Sequence, residues 1–369
     1  MGVIYLKNLN NDETATTATN VTITKNLGAL DQLTCELSPQ AIGSVPSAMM
    51  INGTLITVPE TGQQYRLQNV GLNPLGQKQS YSITAMACAI DLHDHFVEKR
   101  LNGTQSLKAC LDFIISGTPI KYTIHDDFKN YHFSDGFGGD FADSLLMGTL
   151  ANDFQFEWWF DNYQLHIVKK RGKTDAFALI NGLNATGLKY TEDYTGIRTY
   201  IKGYGKPKEQ KDDKKPVEYL ATAEYVSPTV KLWGRKEASV INDERFTNND
   251  ALREYLKSQL QDYPIVQYTV DQVEFNEKDR LKNDIEVGNS GWLKDRYDID
   301  VDVRIIGTVT HPQDVGIADT VTFGNKIYNF FQDQLKQRAA YRKNVIIGKN
   351  LNQKVENIHN SIYEGVRSL

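Results

Sequence analysis

The sequence predicts an α+β chain of several domains, dominated by short strands. Short runs that alternate apolar and polar residues recur over the first 90 positions and again near residues 298–323. Asn–Gly and Gly–Thr pairs punctuate them, and 19 tyrosines favour pleated backbone. Helical periodicity is confined to a few segments after residue 90. The chain has 369 residues, 40% hydrophobic and 24% charged, which is the composition of a folded globular protein. That length corresponds to two or three domains at roughly 150 residues each.

The elements follow in order. Val21 to Lys25 alternates, as do Leu33, Cys35 and Leu37 with their polar neighbours. Asn52-Gly53 is a hairpin-type turn before Leu55 to Val58. Tyr65 to Val70 and Tyr81 to Ala89 complete a set whose close spacing predicts a small barrel or sandwich. Thr104 is placed to cap a helix carrying Leu107, Cys110 or Leu111, and Ile114, with Gly117 and Pro119 as stops. A second helix is expected over Asp143 to Asp153, with Leu146, Leu150 and Phe154 on its apolar side. Phe156 to Phe160 and Tyr163 to Val168 form a hairpin about Asp161-Asn162. Thr199 to Gly203 reads as a strand, and Lys206 to Glu218 as a solvated loop between strands. A helix from Asn248 to Tyr263 shows the stripe Leu252, Tyr255, Leu256, Leu260 and Tyr263. Thr247 and Asp250 form a capping-box-like pair at its start, and Pro264 marks its end. In Asp298 to Val309, Ile299, Val301, Val303 and Ile305 alternate with Asp298, Asp300, Asp302 and Arg304, as on a half-buried strand. Val321 to Phe323 ends at Gly324-Asn325.

After residue 328 the pattern turns helical. Leu351, Val355, Ile358 and Ile362 step by four, three and four, a heptad seam of mostly β-branched residues that leans toward trimers or tetramers. It spans only about two heptads. Two readings stand: a seam between copies, and an amphipathic helix packed on its own domain.

Composition excludes several classes. Lys plus Arg is 41 against 46 for Asp plus Glu, a net charge of −5, so the basic face needed to grip phosphate backbones is not the default. Mean hydropathy is −0.46, and no stretch approaches the roughly 20 apolar residues of a membrane helix. Met1 to Asn10 lacks the features of a signal peptide. Cys35, Cys88 and Cys110 are too few and too scattered for a disulfide framework or a CxxC metal site.

No motif for catalysis emerges, and no cofactor is expected. His93 and His95 would share a strand face, but no third ligand stands at a metal-site spacing, and a polar strand end is the simpler account. Asp298-x-Asp300-x-Asp302 lacks the Gly and Glu of a calcium loop; the positions hold Val303 and Val309. A wet strand face, or the lining of an acidic channel, accounts for it. Gly136-Phe137-Gly138-Gly139 does not follow the strand-then-helix dinucleotide pattern and reads as a flexible loop. The cysteines fall in strand patterns or beside a helix stripe, where the thiol is usually inert. Trp158 and Trp159 beside a turn suit cross-strand packing better than sugar stacking. The Asp298–Asp302 face and the Lys206–Glu218 loop are expected to be exposed.

Several segments, taken in order, resemble a known family. Glu157-Trp158-Trp159-Phe160-Asp161-Asn162, Leu165 to Lys169 and Gly172-Lys173 are similar to a hairpin of phage tail-tip hub proteins. Thr195 to Tyr200, leading to Gly203-Tyr204-Gly205-Lys206, resembles their strand with a Gly-aromatic-Gly turn. Leu256 to Val273 resembles their helix, proline and strand passage, and Arg304 to Pro312 with Thr320 to Asn325 their closing strands. Gly28, Leu30 and Leu33 also fit. The match runs from about residue 20 to 325 and is to the prophage endopeptidase-tail, or tail-associated lysin, family, similar in fold to the baseplate hub of contractile tails.

The resemblance implies a homotrimer at the distal end of a tail tube, two small β-barrels per subunit, and a ring of six barrels that matches a six-fold tail to a three-fold tip. DNA would pass through it. The implied domains are 1–90, a first β-barrel; 91–188, an α+β domain; 189–245 with 285–325, a second, discontinuous barrel; and 246–284 with 326–369, a helical or α+β domain. The implied partners are a second and third copy, a distal tail protein or tube ring, the tape-measure protein, and receptor-binding or fibre proteins. The implied location is the virion tail tip, assembled in the bacterial host cytoplasm. Longer members carry an enzyme or carbohydrate-binding region after the hub. Here Leu369 follows about 45 residues past Asn325, so no enzymatic part is expected. Two other functions are carried along: a cell-wall-degrading peptidase, with Cys110, His93 and His95 as first candidates, and a carbohydrate-binding module using Trp158 and Trp159.

Overall fold

The computed structural model describes residues 2–182, 185–208, 217–270, 272–273, 284–294, 300–314 and 316–324. They divide into two compact units, 2–191 with 267–324, and 192–266. The helical run expected after residue 328 lies outside the described residues.

The larger unit begins with six strands: β1 (Gly2–Lys7), β2 (Glu13–Asn26), β3 (Gln32–Ala41), β4 (Leu55–Val58), β5 (Gln63–Leu75) and β6 (Lys78–Ala87). They pair in the order β1-β4-β5-β6-β3-β2, and β1 also pairs with β2, so the sheet closes into a six-stranded barrel. Alternation dictates this. Ile4 and Leu6, Val21 and Ile23, Leu33, Cys35 and Leu37, Ile56 and Val58, Tyr65 and Leu67, and Tyr81, Ile83 and Ala85 all point inward and pack as one core. Met49, just after a helical turn at Val45–Ala48, joins this core, and the Thr54 hydroxyl donates to its carbonyl at 2.7 Å.

Next comes a ribbon of β7 (Phe96–Gln105), β8 (Lys121–Ile124) apart from it, and β9 (Tyr131–Phe141), where β7 pairs with β9. The glycine-rich stretch Gly136–Gly139 is therefore a strand, not the flexible loop its composition suggests. Its glycines mark register shifts: Gly138 has φ +128°, and a Cβ there would stand 2.1 Å from the Lys99 carbonyl oxygen. The helix Leu107–Ile114 buries Leu107, Cys110, Leu111 and Ile114 and is capped by Ser106, whose hydroxyl accepts from the Ala109 N–H at 3.2 Å. Thr104, the expected cap, is still in β7. The expected second helix is a π-helical stretch, Ser144–Leu150, followed by one α turn, Ala151–Phe154; Gln155 at φ +54° stops it. Then β10 (Glu157–Asp161) and β11 (Gln164–Val168) form the expected hairpin about Asn162, and β8 adds parallel to β11.

Three short strands follow: β12 (Ala178–Ile180), β13 (Ala185–Thr186) and β14 (Lys189–Asp193). The chain then makes β15 (Tyr200–Tyr204), β16 (Thr222–Val226) and β17 (Ile241–Asn242) of the smaller unit. It continues with β18 (Ile265–Val270), β19 (Gln272–Val273), β20 (Ser290–Lys294), β21 (Asp300–Thr310) and β22 (Thr320–Gly324). Beyond the barrel the strands pair in the order β20-β21-β22-β18, with β12 on β20 and β14 on β18, while β13 and β19 form a separate two-stranded ribbon. β12 and β14 thus lie at opposite ends of this sheet. Leu293, Val301, Val303, Ile305, Val321, Phe323, Tyr268 and Val270 are buried in it.

The smaller unit is a three-stranded sheet, β16-β15-β17, under the helix Asn249–Gln259. Ile201, Ala221, Ala223, Leu252, Leu256 and Leu260 form its core. The helix cap is Asn248, whose side-chain oxygen accepts from the Asp250 and Ala251 N–H groups at 2.7 and 3.2 Å, and not the expected Thr247. The helix stops at Gln259, ahead of Pro264. Strands of similar texture, β15 and β21, fall in different units. Pro207 and Tyr219 form a bridge at the neck of the expected Lys206–Glu218 loop, and Lys206, Lys208, Val217 and Glu218 are exposed.

Candidate functional site at the barrel junction

The closed barrel and the second sheet of the larger unit are joined edge to edge. Ile23–Asn26 of β2 pair antiparallel with Gly307–Thr310 of β21, so one sheet of twelve strands runs through both. The Leu27 N–H extends this ladder to the Ile306 carbonyl at 2.8 Å.

The segment 157–173 stitches the α+β insertion onto both. Arg304 is only 6% exposed. Its guanidinium donates to Glu157 Oε1 at 2.7 Å, to Glu157 Oε2, to the Gly288 carbonyl at 2.9 Å and to the Arg171 carbonyl at 2.8 Å. Glu157 Oε2 also accepts from the Arg171 N–H at 2.6 Å. Arg304 was expected on the wet face of its strand. It does alternate with the buried Val303 and Ile305, but its face is covered by the insertion, which supplies the matching carboxylate. Gly172 crosses the backbone of Gly288 so closely that a Cβ would stand 2.1 Å from the Gly288 carbonyl carbon. The Lys173 N–H donates to Asn289 Oδ1 at 2.8 Å. At the other end of the hairpin, Asn162 sits at φ +53°; its Oδ1 accepts from the Gln64 N–H at 2.7 Å, and Asp161 accepts from the Gln63 amide at 2.8 Å.

Two further charge groups hold the first barrel. Arg66 makes a two-pronged bond to Asp91, at 2.9 and 2.6 Å, and both meet the Tyr163 hydroxyl at 3.0 and 2.9 Å. Lys25 and Asp31 pair at 3.6 Å; burial raises the Asp31 carboxyl above the usual carboxylate range, against the pull of Lys25 and Arg171. A cavity of about 400 Å³ opens beside this barrel, lined by Leu9, Asn52, Arg66, Asp91, His93 and Asp94. Arg66 and Asp91 already neutralise each other there.

On the insertion, Trp159 stacks on its cross-strand partner His166 with centroids 4.9 Å apart, and Arg171 lies over the Trp159 ring at 5.0 Å. His166 Nδ1 and His125 Nε2 share a hydrogen bond of 3.0 Å. Burial, and then His125, lowers the His166 pKa below the ordinary 6.5, with Asp161 opposing and Arg171 adding. Below pH 6.5 the unfolded chain therefore binds more protons at this site than the folded one. Stability should fall as pH drops from 6.5 through the lowered value. Melting temperatures at pH 7.5, 6.5 and 5.5 should show this, with a flatter profile for His166→Gln. Parallel profiles for the two proteins count against the assignment.

The predicted site residues fare as follows. Leu351, Val355, Ile358, Ile362 and Asp298 lie outside the described residues. Asp300 begins β21, and Asp302 is exposed on it, opposite Trp292 in register. His93 lies in a 3-10 turn and not a strand; it bonds Asp143 at 2.8 Å and stacks on Phe141. Among the described residues no group of three or more His, Cys, Asp or Glu could hold a metal. Cys35, Cys88 and Cys110 are buried free thiols, each pushed up to about 12 by burial. Trp158 is 3% exposed in the core of the insertion. Residue-by-residue reading missed Arg304 with Glu157 and Gly172 with Gly288, because each pair is separated by more than 100 positions; the order of motifs around 157–173 was the available signal.

The model of the prophage endopeptidase tail family matches residues 172–333, and that of the prophage endopeptidase tail domain matches residues 94–167. Among curated proteins none matches the chain. Its fold is similar to the prophage tail protein gp18 of Listeria monocytogenes EGD-e, at TM-score 0.65 and 19% identity over 93% of this chain and 100% of that one. It is also similar to the 43 kDa tail protein of prophage MuSo2 from Shewanella oneidensis, at 0.61 and 15%, over 88% and 98%. A tail protein from Neisseria meningitidis MC58 matches at 0.60 and 12%, over 89% and 98%.

Proposed function

The chain is a phage tail protein of the prophage endopeptidase tail family, and from that premise we propose that it is the structural, non-enzymatic hub of a tail tip. Three copies close the distal end of the tail tube and supply a channel for DNA during ejection. The observation that carries this reading is the closed barrel held beside a second sheet, which we read as the second barrel, by the β2–β21 ladder and the 157–173 stitches. Three such pairs make six barrels, which suits an adaptor between a six-fold tube and a three-fold tip.

Large assemblies of this kind need complementary area and a rigid body, not reactive groups. Arg66 and Arg304, each held by an internal carboxylate, serve such rigidity. A net charge of −5 lets DNA slide through without sticking. On this reading the neighbours are a distal tail protein or tube ring, with the tape-measure protein and receptor-binding or fibre proteins beyond. The protein belongs in the virion tail, and the described residues include no helix long and apolar enough to cross a membrane.

Native mass spectrometry of the full chain, alone and with its adjoining distal tail protein, tests the proposal. Particles of three times 41.8 kDa are expected. A chain that stays monomeric in both samples, with no ring in negative-stain images, overturns it.

A further inference from the structure

One strand of the first barrel outruns its barrel. β4 pairs with β5 only over Gln63–Arg66, whereas β6 follows β5 to Leu75. From Asn69 onward, one edge of β5 is bonded to β6, and among the described residues no strand bonds the other. Every residue from Gln68 to Leu75 is exposed, including Val70, Leu72 and Leu75 at 37, 53 and 53%.

This stretch, Asn-Val-Gly-Leu-Asn-Pro-Leu, carries no charge. Natural proteins shorten, charge or cover such edges, since an open apolar edge is a template for another strand. Two blunting devices stand here, a register shift between Leu67 and Asn69 and Pro74. The shift bounds the edge at Asn69, and Pro74, lacking an N–H, bounds it at Asn73.

Its position names the occupant. Around the closed barrel, β5 lies three strands from β2 in either direction, so the two are on opposite sides. β2 is the strand joined to the chain's own second barrel. Among the described residues the first barrel therefore bonds the second on one side and presents an unpaired edge on the other. Copies arranged head to tail, as in a closed ring, bring the next copy's second barrel to that bare side.

We infer that Asn69–Asn73 of one copy adds as a strand to the second barrel of a neighbouring copy, repeating between chains the barrel-to-barrel ladder that β2 and β21 make within one. This rests on the ring reading above. Backbone hydrogen bonds give the affinity, and Val70 and Leu72 supply the apolar contacts.

The test places the photo-crosslinker p-benzoylphenylalanine at Leu72 in the full chain. Equal amounts of this chain and an isotope-labelled chain without the crosslinker are mixed, assembled, irradiated and mapped by mass spectrometry. Crosslinks from position 72 of one isotope to residues 178–193 or 288–324 of the other support the inference. Crosslinks confined to one chain, including any to its own residues 325–369, overturn it. Trimers whose crosslinks map elsewhere overturn it and leave the ring reading standing, while absence of any trimer overturns both. As a second arm, Val70→Asp with Leu72→Asp should leave the melting temperature unchanged, since both side chains are exposed. It should raise the concentration for half-assembly at least about tenfold; an unchanged concentration counts against the inference.

Discussion

Arg304→Ala is expected to destabilise the folded chain by about 3–5 kcal/mol, the usual cost of removing one partner from a buried ion pair. The substitution deletes four hydrogen bonds and leaves Glu157, only 25% exposed, with the Arg171 N–H as its remaining described partner. The loss is chiefly the cost of a half-buried carboxylate without its counter-charge, not the net value of the pair. Arg304→Met with Glu157→Leu should therefore recover much of the stability, because both charges leave together. Arg304→Lys should recover little, since an ammonium cannot span both carboxylate oxygens and two carbonyls at once. Denaturant unfolding at neutral pH measures all three. A loss below about 1 kcal/mol for Arg304→Ala, the value of an exposed pair, would sink the view that this contact clamps the insertion to the second barrel.

Gly172→Ala should cost about 3 kcal/mol or more, for two separable reasons. The position has φ +96°, which a Cβ disfavours, at about 1–2 kcal/mol. The new methyl would also stand 2.1 Å from the carbonyl carbon and 2.2 Å from the carbonyl oxygen of Gly288, both backbone atoms that cannot swing aside. Gly76→Ala separates the two effects. Gly76 has φ +66° in the β5–β6 turn with nothing within 4 Å of a new Cβ, so only the conformational cost applies. A drop in melting temperature for Gly172→Ala no larger than for Gly76→Ala would show that the two backbones do not cross as closely as described.

These pairs mark what local pattern can and cannot convey. Alternation placed Val21, Ile23, Leu33, Cys35 and Leu37 on the inner face of the first barrel correctly, because a strand's period of two is a local property. Turn chemistry located the Asn162 hairpin for the same reason, since its φ of +53° is set within one residue. Alternation also puts Arg304 on a wet face, and glycine content puts Gly136–Gly139 in a loop. In both cases a distant segment overrides the local signal: Glu157 covers one, and β7 pairs with the other.

By itself the sequence determined the strand-rich α+β class, the turns, the first barrel's inward residues and the order of motifs that marks a phage tail protein. Each is written in neighbours a few positions apart. Only the tertiary structure decided that β2 ends on β21, that β12 and β14 lie at opposite ends of the second sheet, that Arg304 serves Glu157, and that among the described residues β5 keeps an unpaired edge opposite the join. Strand pairing and charge pairing across more than 100 positions depend on which surfaces the folded chain brings together, and period-two alternation reads the same whichever partner a strand finds.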